Sequence, residues 1–277
     1  ELWHAAAGAD WSPQPKGNVP LPELDAVGVE RLCTLVGKQV PAAAAMLTAY
    51  CRDDPATTGA PGPQVAAWHG LPATEQALYR ELLVEMTDTL QVLNDKPEET
   101  AESTLRALWQ AATDVPISAE RAADIPLPVL DSAAVARLRE LLAQRFSGVP
   151  LAHLTGRQRF MGTELEVGKA ALVPRKETEL LGSAALAVLR QMGNTQDTLR
   201  VIDVCTGAGN LALALATHEP KARVYASDLS TEAVELAQHN SVQLGLSQRV
   251  KFRQGDFLTP FTGGDFDKNV DLLVCNP

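Results

Sequence analysis

Val201-Ile202-Asp203-Val204 is a short apolar run that breaks into Cys205-Thr206-Gly207-Ala208-Gly209-Asn210, and this junction restricts the fold of the 277-residue chain more than any other segment. Glycines at the end of a strand let the backbone turn sharply and pass close to a ligand, where the N-terminus of the next helix offers free N–H groups. The alternation then continues. Leu211 to Thr217 reads as a helix, and Arg223 to Ser227 as a second strand ending at Asp228. Ser230 caps a helix that stops at Gly245; Val250 to Gln254 is a third strand ending at Gly255-Asp256; Val270 to Cys275 is a fourth. Strands and helices alternating at this spacing imply an α/β, Rossmann-like parallel sheet with right-handed crossovers.

The region before the sheet reads differently. Pro13, Pro15, Pro20, Pro22, Pro55, Pro61 and Pro63 forbid long helices across residues 1 to 72, leaving room for one from about Leu24 to Tyr50, broken near Pro41. A helix begins near Thr74, with Leu78, Leu82, Met86 and Leu90 every four residues. Another is expected from about Pro97 to Thr113. A further helix starts at an Asp131-Ser132 cap, aligns Val135, Leu138, Leu142 and Phe146, and ends at Gly148. Residues 1–148 therefore read as a helical domain whose plainest role is scaffolding or docking. Arg159 to Val167 alternates around Gly162 as a β-hairpin within a linker, 149–176, and a helix from about Glu177 to Met192 opens the sheet domain, 177–277.

Four elements follow in order at the strand tips: the Cys205–Gly209 turn; Asp228, 19 residues after Gly209; Gly255-Asp256-Phe257; and Asn276-Pro277. Strand tips of an open α/β sheet share one rim, where such sheets bind ligands. Each element has a bland counterpart as a tight turn or surface loop. A carboxylate at Asp228 suits the two hydroxyls of a ribose. Asp256 suits an adenine amino group, and Phe257 can stack on the ring. Asn276 offers an acceptor oxygen and two N–H donors, enough to hold a planar amide or an exocyclic amine. A dinucleotide site stays open on these residues. The full G-x-G-x-x-G pattern is absent, Ala212 standing where the relaxed form allows it.

Composition narrows the partners. A formal net charge of −10 disfavours a phosphate backbone as ligand, although a local basic patch would not show in the total. The four cysteines, Cys33, Cys51, Cys205 and Cys275, form no C-x-x-C pair and read as reduced thiols, neither zinc ligands nor a disulfide framework. Apolar stretches fall short of a membrane span, so a cytoplasmic protein is expected. A chain opening on Glu1 rather than Met is expected to lack its first residues.

Three segments carry a family resemblance across roughly 131 to 277. Gly148-Val149-Pro150-Leu151-Ala152-His153-Leu154-Thr155-Gly156 resembles a G-x-P-x-x-Y-x-x-G segment of the protein-glutamine N5-methyltransferases, with His153 in the Tyr place. Leu172-Val173-Pro174-Arg175-Lys176-Glu177-Thr178-Glu179 is similar to the I-P-R-P-x-T-E segment of that family, with Lys176 replacing a Pro, and Asn276-Pro277 resembles the start of N-P-P-Y. The resemblance implies transfer of a methyl group from S-adenosylmethionine (SAM) to a glutamine side-chain amide, in a release factor or a large-subunit ribosomal protein. The Cys-Thr-Gly form of the turn resembles the ribosomal-protein group somewhat more. It further implies that Asp203 and Cys205, Thr206, Gly207, Ala208 and Gly209 surround the methionine part of SAM, Asp228 its ribose, and Asp256 and Phe257 its adenine. Asn276 and Pro277 would be catalytic, with Phe160, Arg175 and Asn276 meeting the substrate. By the same resemblance the sheet has seven strands, so the chain is expected to be truncated after strand four. Competing readings are a nucleic-acid amino-methyltransferase, which shares the Asn-Pro-Pro-aromatic signature, and a binding module that has lost its chemistry.

Overall fold

The computed structural model describes residues 70–90, 96–262, 266 and 269–277. The helix expected over Leu24 to Tyr50, together with Cys33 and Cys51, lies outside the described residues.

Among the described residues, five helices come first: α1 (Ala73–Thr89), α2 (Ala101–Ala111), α3 (Ala119–Ala122), α4 (Ser132–Phe146) and α5 (Leu151–Thr155). The α2 helix begins four residues after Pro97 because Thr100 supplies the cap, its hydroxyl accepting the Ser103 N–H at 3.1 Å. Asp131 caps α4 as its sequence predicts, its carboxylate accepting the Ala134 N–H at 2.7 Å. The short α3 and α5 were not legible from periodicity, since neither completes two turns. Tyr79, Leu82 and Met86 of α1 pack with Leu105, Leu108 and Trp109 of α2 and with Leu138 and Leu142 of α4 in one buried cluster. Arg106, itself buried, donates from Nε to the Ala122 carbonyl and from Nη2 to those of Ala123 and Ile125 (2.7–3.0 Å), closing the end of α3.

Strands β1 (Arg157–Phe160) and β2 (Thr163–Glu166) form an antiparallel hairpin that starts two residues earlier than expected. Its two-residue tip has φ of 47° at Met161 and 79° at Gly162, the pair of positive values that a hairpin turn matched to strand twist requires. Neighbouring helices hold the tip. Glu179 of α6 (Lys176–Met192) accepts the Met161 N–H at 3.0 Å, and His218 of α7 (Asn210–His218) meets the Met161 carbonyl through Nε2 at 2.6 Å. Gly182 of α6 lies against the Met161 sulfur, which would have to shift to admit a side chain there.

Strands β3 (Leu199–Val204), β4 (Ala222–Asp228), β5 (Val250–Gln254) and β6 (Leu272–Cys275) form one parallel sheet in the order β5-β4-β3-β6. The α7 helix follows β3, and α8 (Thr231–Gln243) joins β4 to β5, as the alternation predicts. The fourth strand starts two residues later than expected, at Leu272. Leu199, Val201, Val224, Ala226, Leu213 and Leu215 fill the core, which Phe160 and Leu165 of the hairpin and Leu189 of α6 complete. After β5 the chain crosses to the far side of β3, so the strand order reverses between β3 and β6. Ligand crevices of open α/β sheets form at such a reversal.

Buried polar contacts join helices and hairpin. Arg145 at the end of α4 pairs with Glu99 at 3.0 Å, and Lys96 pairs with the same carboxylate at 3.0 Å, both partners of each pair largely enclosed. The Glu164 carboxylate of β2 accepts the Ser118 N–H at 3.0 Å and its hydroxyl at 2.7 Å.

Candidate active site at the strand tips

Parallel register sets the site. Val204 pairs with Ser227 on one side and with Cys275 on the other, so the residues that follow these strands emerge at one level. Cys205, Asp228 and Asn276 therefore leave the sheet side by side. The structure brings together the four elements that the sequence singles out, and it divides their residues into a buried frame and an accessible lip.

The frame comprises Asp203, Thr206, Ala208 and Gly209, all buried. Asp203 is fully enclosed; its Oδ2 accepts the Thr206 hydroxyl at 2.6 Å and the Ala212 N–H at 3.2 Å, while its Oδ1 has no protein partner. Thr206 also donates its N–H to the Ser227 carbonyl at 3.0 Å, fastening the turn to β4. Gly207 and Gly209 have φ of 57° and 86°, and Cys205 takes 60°, left-handed geometry that costs a side-chain-bearing residue roughly 1–2 kcal/mol.

The lip comprises Cys205, Gly207, Asp228, Asp256, Phe257, Asn276 and Pro277, each at least partly exposed. Asp228 accepts the Gly207 N–H through Oδ2 at 2.8 Å and the Ser230 N–H through Oδ1 at 3.0 Å. Each carboxylate oxygen keeps a further acceptor site, so ribose hydroxyls fit without displacing the bonds that hold the loop. Phe257 turns its ring outward, 57% exposed at a φ of 44°, and the buried Ser227 hydroxyl holds it by donating to its carbonyl at 2.8 Å. Sequence reasoning passed over Ser227, whose only signal is its place directly before Asp228.

Asn276 donates from Nδ2 to the Thr178 hydroxyl of α6 at 3.1 Å, leaving its carbonyl oxygen as the acceptor at the lip. Two segments 98 residues apart, Pro174–Glu179 and Asn276-Pro277, thus meet at the same point. Thr178 lay within a segment the sequence flagged, yet its partner was not legible. Phe160 and Arg175 line a shallow neighbouring cleft with Lys96, Arg159, Pro174 and Glu179, set between the hairpin and the start of α6.

Electrostatics at the rim favour orientation over nucleophilic attack. Burial, reinforced by the nearby charges of Asp228, Asp203 and Asp256, raises the Cys205 thiol. Burial and the neighbouring Cys205 push Cys275 up to about 11, so neither sulfur is a thiolate near neutrality. Burial also lifts the Asp203 carboxyl to about 7, against the hydrogen bonds from Thr206 and Ala212, which lower it. A carboxyl raised in the folded state contributes stability that is full below about pH 4 and lost as the pH rises through about 7. Asp203→Asn should therefore gain on the parent across that window, by at most about 1.4 kcal/mol per pH unit. Urea unfolding at a series of pH values checks this; parallel curves for the two proteins would contradict it.

Comparison with known proteins agrees with the geometry. Residues 195–277 match the methyltransferase-domain family. The release factor glutamine methyltransferase of Moorella thermoacetica is 41% identical over 148 residues, covering 53% of this chain and 50% of that protein. The enzyme of that name from Streptomyces coelicolor is 42% identical over 142 residues, 51% of this chain and 48% of its own length. The chain is thus similar to a methyltransferase domain over residues 195–277 and to the release factor glutamine methyltransferases over about half its length. A third relative of the same name, from Nitratidesulfovibrio vulgaris, extends the match to 207 residues at 31% identity, 74% of this chain and 65% of that protein. The chain spans about half the length of the first two. The resemblance drawn from Pro174–Glu179 and Asn276-Pro277 agrees with the names of these relatives. Among the described residues, no helix is long and apolar enough to cross a membrane.

The turn suits SAM on its own geometry. The Asp203 Oδ1 has no partner beneath the glycine turn, Asp228 stands beside Gly207, and a side chain at Gly207 would meet Ala171 Cβ at 3.6 Å and narrow the approach to the turn.

Proposed function

We propose that this protein transfers a methyl group from SAM to the side-chain amide nitrogen of a glutamine, in a cytoplasmic translation protein of the release-factor type. The observation that carries the reading is the meeting of Asn276 with Thr178 at the strand-order reversal, one residue beyond the strand pair that bears the glycine turn. The names of the relatives support a release factor over a ribosomal protein, against the slight leaning of the Cys205-Thr206-Gly207 form.

SAM supplies an electrophilic methyl on a sulfonium. The protein's part is placement. Asp228 and the Gly207 backbone would hold the ribose side, Phe257 with Asp256 the adenine side, and the Cys205–Gly209 turn the methionine side. A glutamine amide nitrogen is a weak nucleophile because its lone pair is delocalised. Asn276, held through Nδ2 by Thr178, presents its carbonyl oxygen to accept an N–H of that amide and turn the lone pair toward the methyl group. Pro277 has no N–H to compete for the same acceptor. Arg175 borders the cleft along which a substrate loop would arrive, while Phe160, 1% exposed, packs behind its wall in the core. Alignment at near-attack distance supplies much of the rate in such a reaction.

Calorimetric titration with SAM and with NAD tests the cofactor assignment. SAM should bind and NAD should not. Asp228→Ala should weaken SAM at least tenfold, since charge-assisted hydrogen bonds are worth about 1.5–3 kcal/mol each. Asp228→Asn, which keeps one acceptor oxygen, should fall between. NAD binding without SAM binding, or an unchanged SAM affinity in Asp228→Ala, would overturn the assignment.

A further inference from the structure

Asn240 lies on the inner face of α8, 1% exposed, and touches the rim described above through the Ala208 carbonyl. Its Oδ1 accepts the Glu166 N–H at 2.8 Å, and its Nδ2 donates to the Glu166 carbonyl at 3.0 Å and to the Ala208 carbonyl at 3.0 Å. One side chain thus serves both backbone groups of the last β2 residue, as a neighbouring strand would, and reaches the middle of the glycine turn as well. A side-chain amide, with one acceptor and two donors, is the group that makes these three bonds together. The same helix grips the Glu166 carboxylate, through Gln243 at 3.2 Å and His239 at 3.4 Å, while Arg157 of β1 holds it at 2.9 Å. One turn before Asn240, Ala237 packs beneath Gly209, 3.2 Å from where a side chain there would begin. The helix therefore touches the turn at two successive residues, 208 and 209, and the hairpin at a third point.

We infer that Asn240 is a positioning residue that sets the cofactor turn and the β1–β2 hairpin in fixed register. The inference rests on the SAM reading above and extends it to the coupling between the two halves of the site. With Ala208 held from below, Gly207 and Gly209 keep their positive φ and the Gly207 N–H stays aimed at Asp228. With Glu166 held, the hairpin keeps Phe160 at the wall of the substrate-side cleft. Loss of the amide should loosen both sides together, which loss of an ordinary core residue would not do.

Asn240→Ala removes all three bonds. Asn240→Asp keeps the side-chain volume and the acceptor for the Glu166 N–H but removes both donors, which separates lost bonding from a cavity. Leu138→Ala, in the helical cluster away from the rim, serves as a core variant of lowered stability. SAM affinity by calorimetry, well below each melting temperature, should fall about tenfold or more in Asn240→Ala and Asn240→Asp, and stay within about twofold in Leu138→Ala. Hydrogen exchange should quicken at Gly209 in both Asn240 variants and at Glu166 in Asn240→Ala, and at neither amide in Leu138→Ala. Parental SAM affinity and parental exchange in Asn240→Ala, with only the melting temperature lowered, would reduce Asn240 to a structural residue. Failure of the parent itself to bind SAM would remove the cofactor reading, and exchange at Gly209 and Glu166 would then decide the positioning role alone.

Discussion

Asn276→Ala is expected to lower the rate of methyl transfer about a hundredfold or more while leaving SAM affinity close to that of the parent. The side chain stands at the lip with its Nδ2 tied to Thr178 and its carbonyl oxygen left to accept. It makes no bond to the glycine turn or to Asp228, so the groups assigned to the cofactor stay in place when it is cut back. What disappears is an acceptor aimed at the reacting amide, and an interaction of that kind strengthens as the nitrogen gives up its conjugation. Contacts stronger in the transition state than in the ground state appear in kcat rather than in binding. The magnitude follows other preorganised polar groups, where removal of one costs about a hundredfold to a thousandfold. Thr178→Val should give a smaller loss in the same direction, because it frees the Asn276 amide to turn without removing it. Single-turnover kinetics with labelled SAM reads both variants. Parental rates in Asn276→Ala would leave Asn276 as a turn residue.

Gly209→Ala should destabilise the fold by about 2–5 kcal/mol, a large effect for one methyl group. Two costs coincide at this position. A φ of 86° is left-handed, which a side chain tolerates only at about 1–2 kcal/mol. The new carbon would also lie 2.9 Å from Leu213 Cδ1 and 3.2 Å from both Ala237 Cβ and Phe252 Cζ, in a packed interior where overfilling typically costs about 1–3 kcal/mol. Gly245 at the end of α8 supplies the control, since its φ is 67° and nothing lies within 4 Å of the added carbon. Gly245→Ala should therefore show the backbone cost alone. Chemical denaturation of the two variants separates strain from crowding; equal losses would mean that Leu213 of α7, α8 and β5 yield to the methyl group without cost. Gly209→Ala should also abolish SAM binding in whatever fraction stays folded.

The sheet was legible because its signals are local. The Val201–Val204 run, the Ser230 cap and the Gly245 stop each lie within a few residues of the boundary they set, and β3, α7, β4, α8 and β5 appear where expected. The later start of β6 reflects how little distinguishes Val270-Asp271 from the strand it precedes. Asp271 accepts the Arg200 N–H at 2.7 Å through its side chain before ladder pairing begins, and sequence alone does not show such a contact. Short α3 and α5 lacked the length that makes a helical period detectable. Rim positions were legible for a different reason: topology fixes where strand tips go once the strands are known. Their division into buried frame and exposed lip was not, because burial at Asp203 and Thr206 depends on which face the turn folds over. The contacts of Asn240, Thr178 and Ser227 span 74, 98 and 30 residues, and no pattern in the neighbouring sequence announces them.

Mass spectrometry of a release factor incubated with the full-length protein and methyl-labelled SAM tests the central claim most directly. One added methyl group is expected on a glutamine side chain of the release factor, dependent on Asn276 and absent without SAM. Label appearing on nucleic acid with none on protein, or no label on any glutamine under conditions where SAM binds, would contradict it.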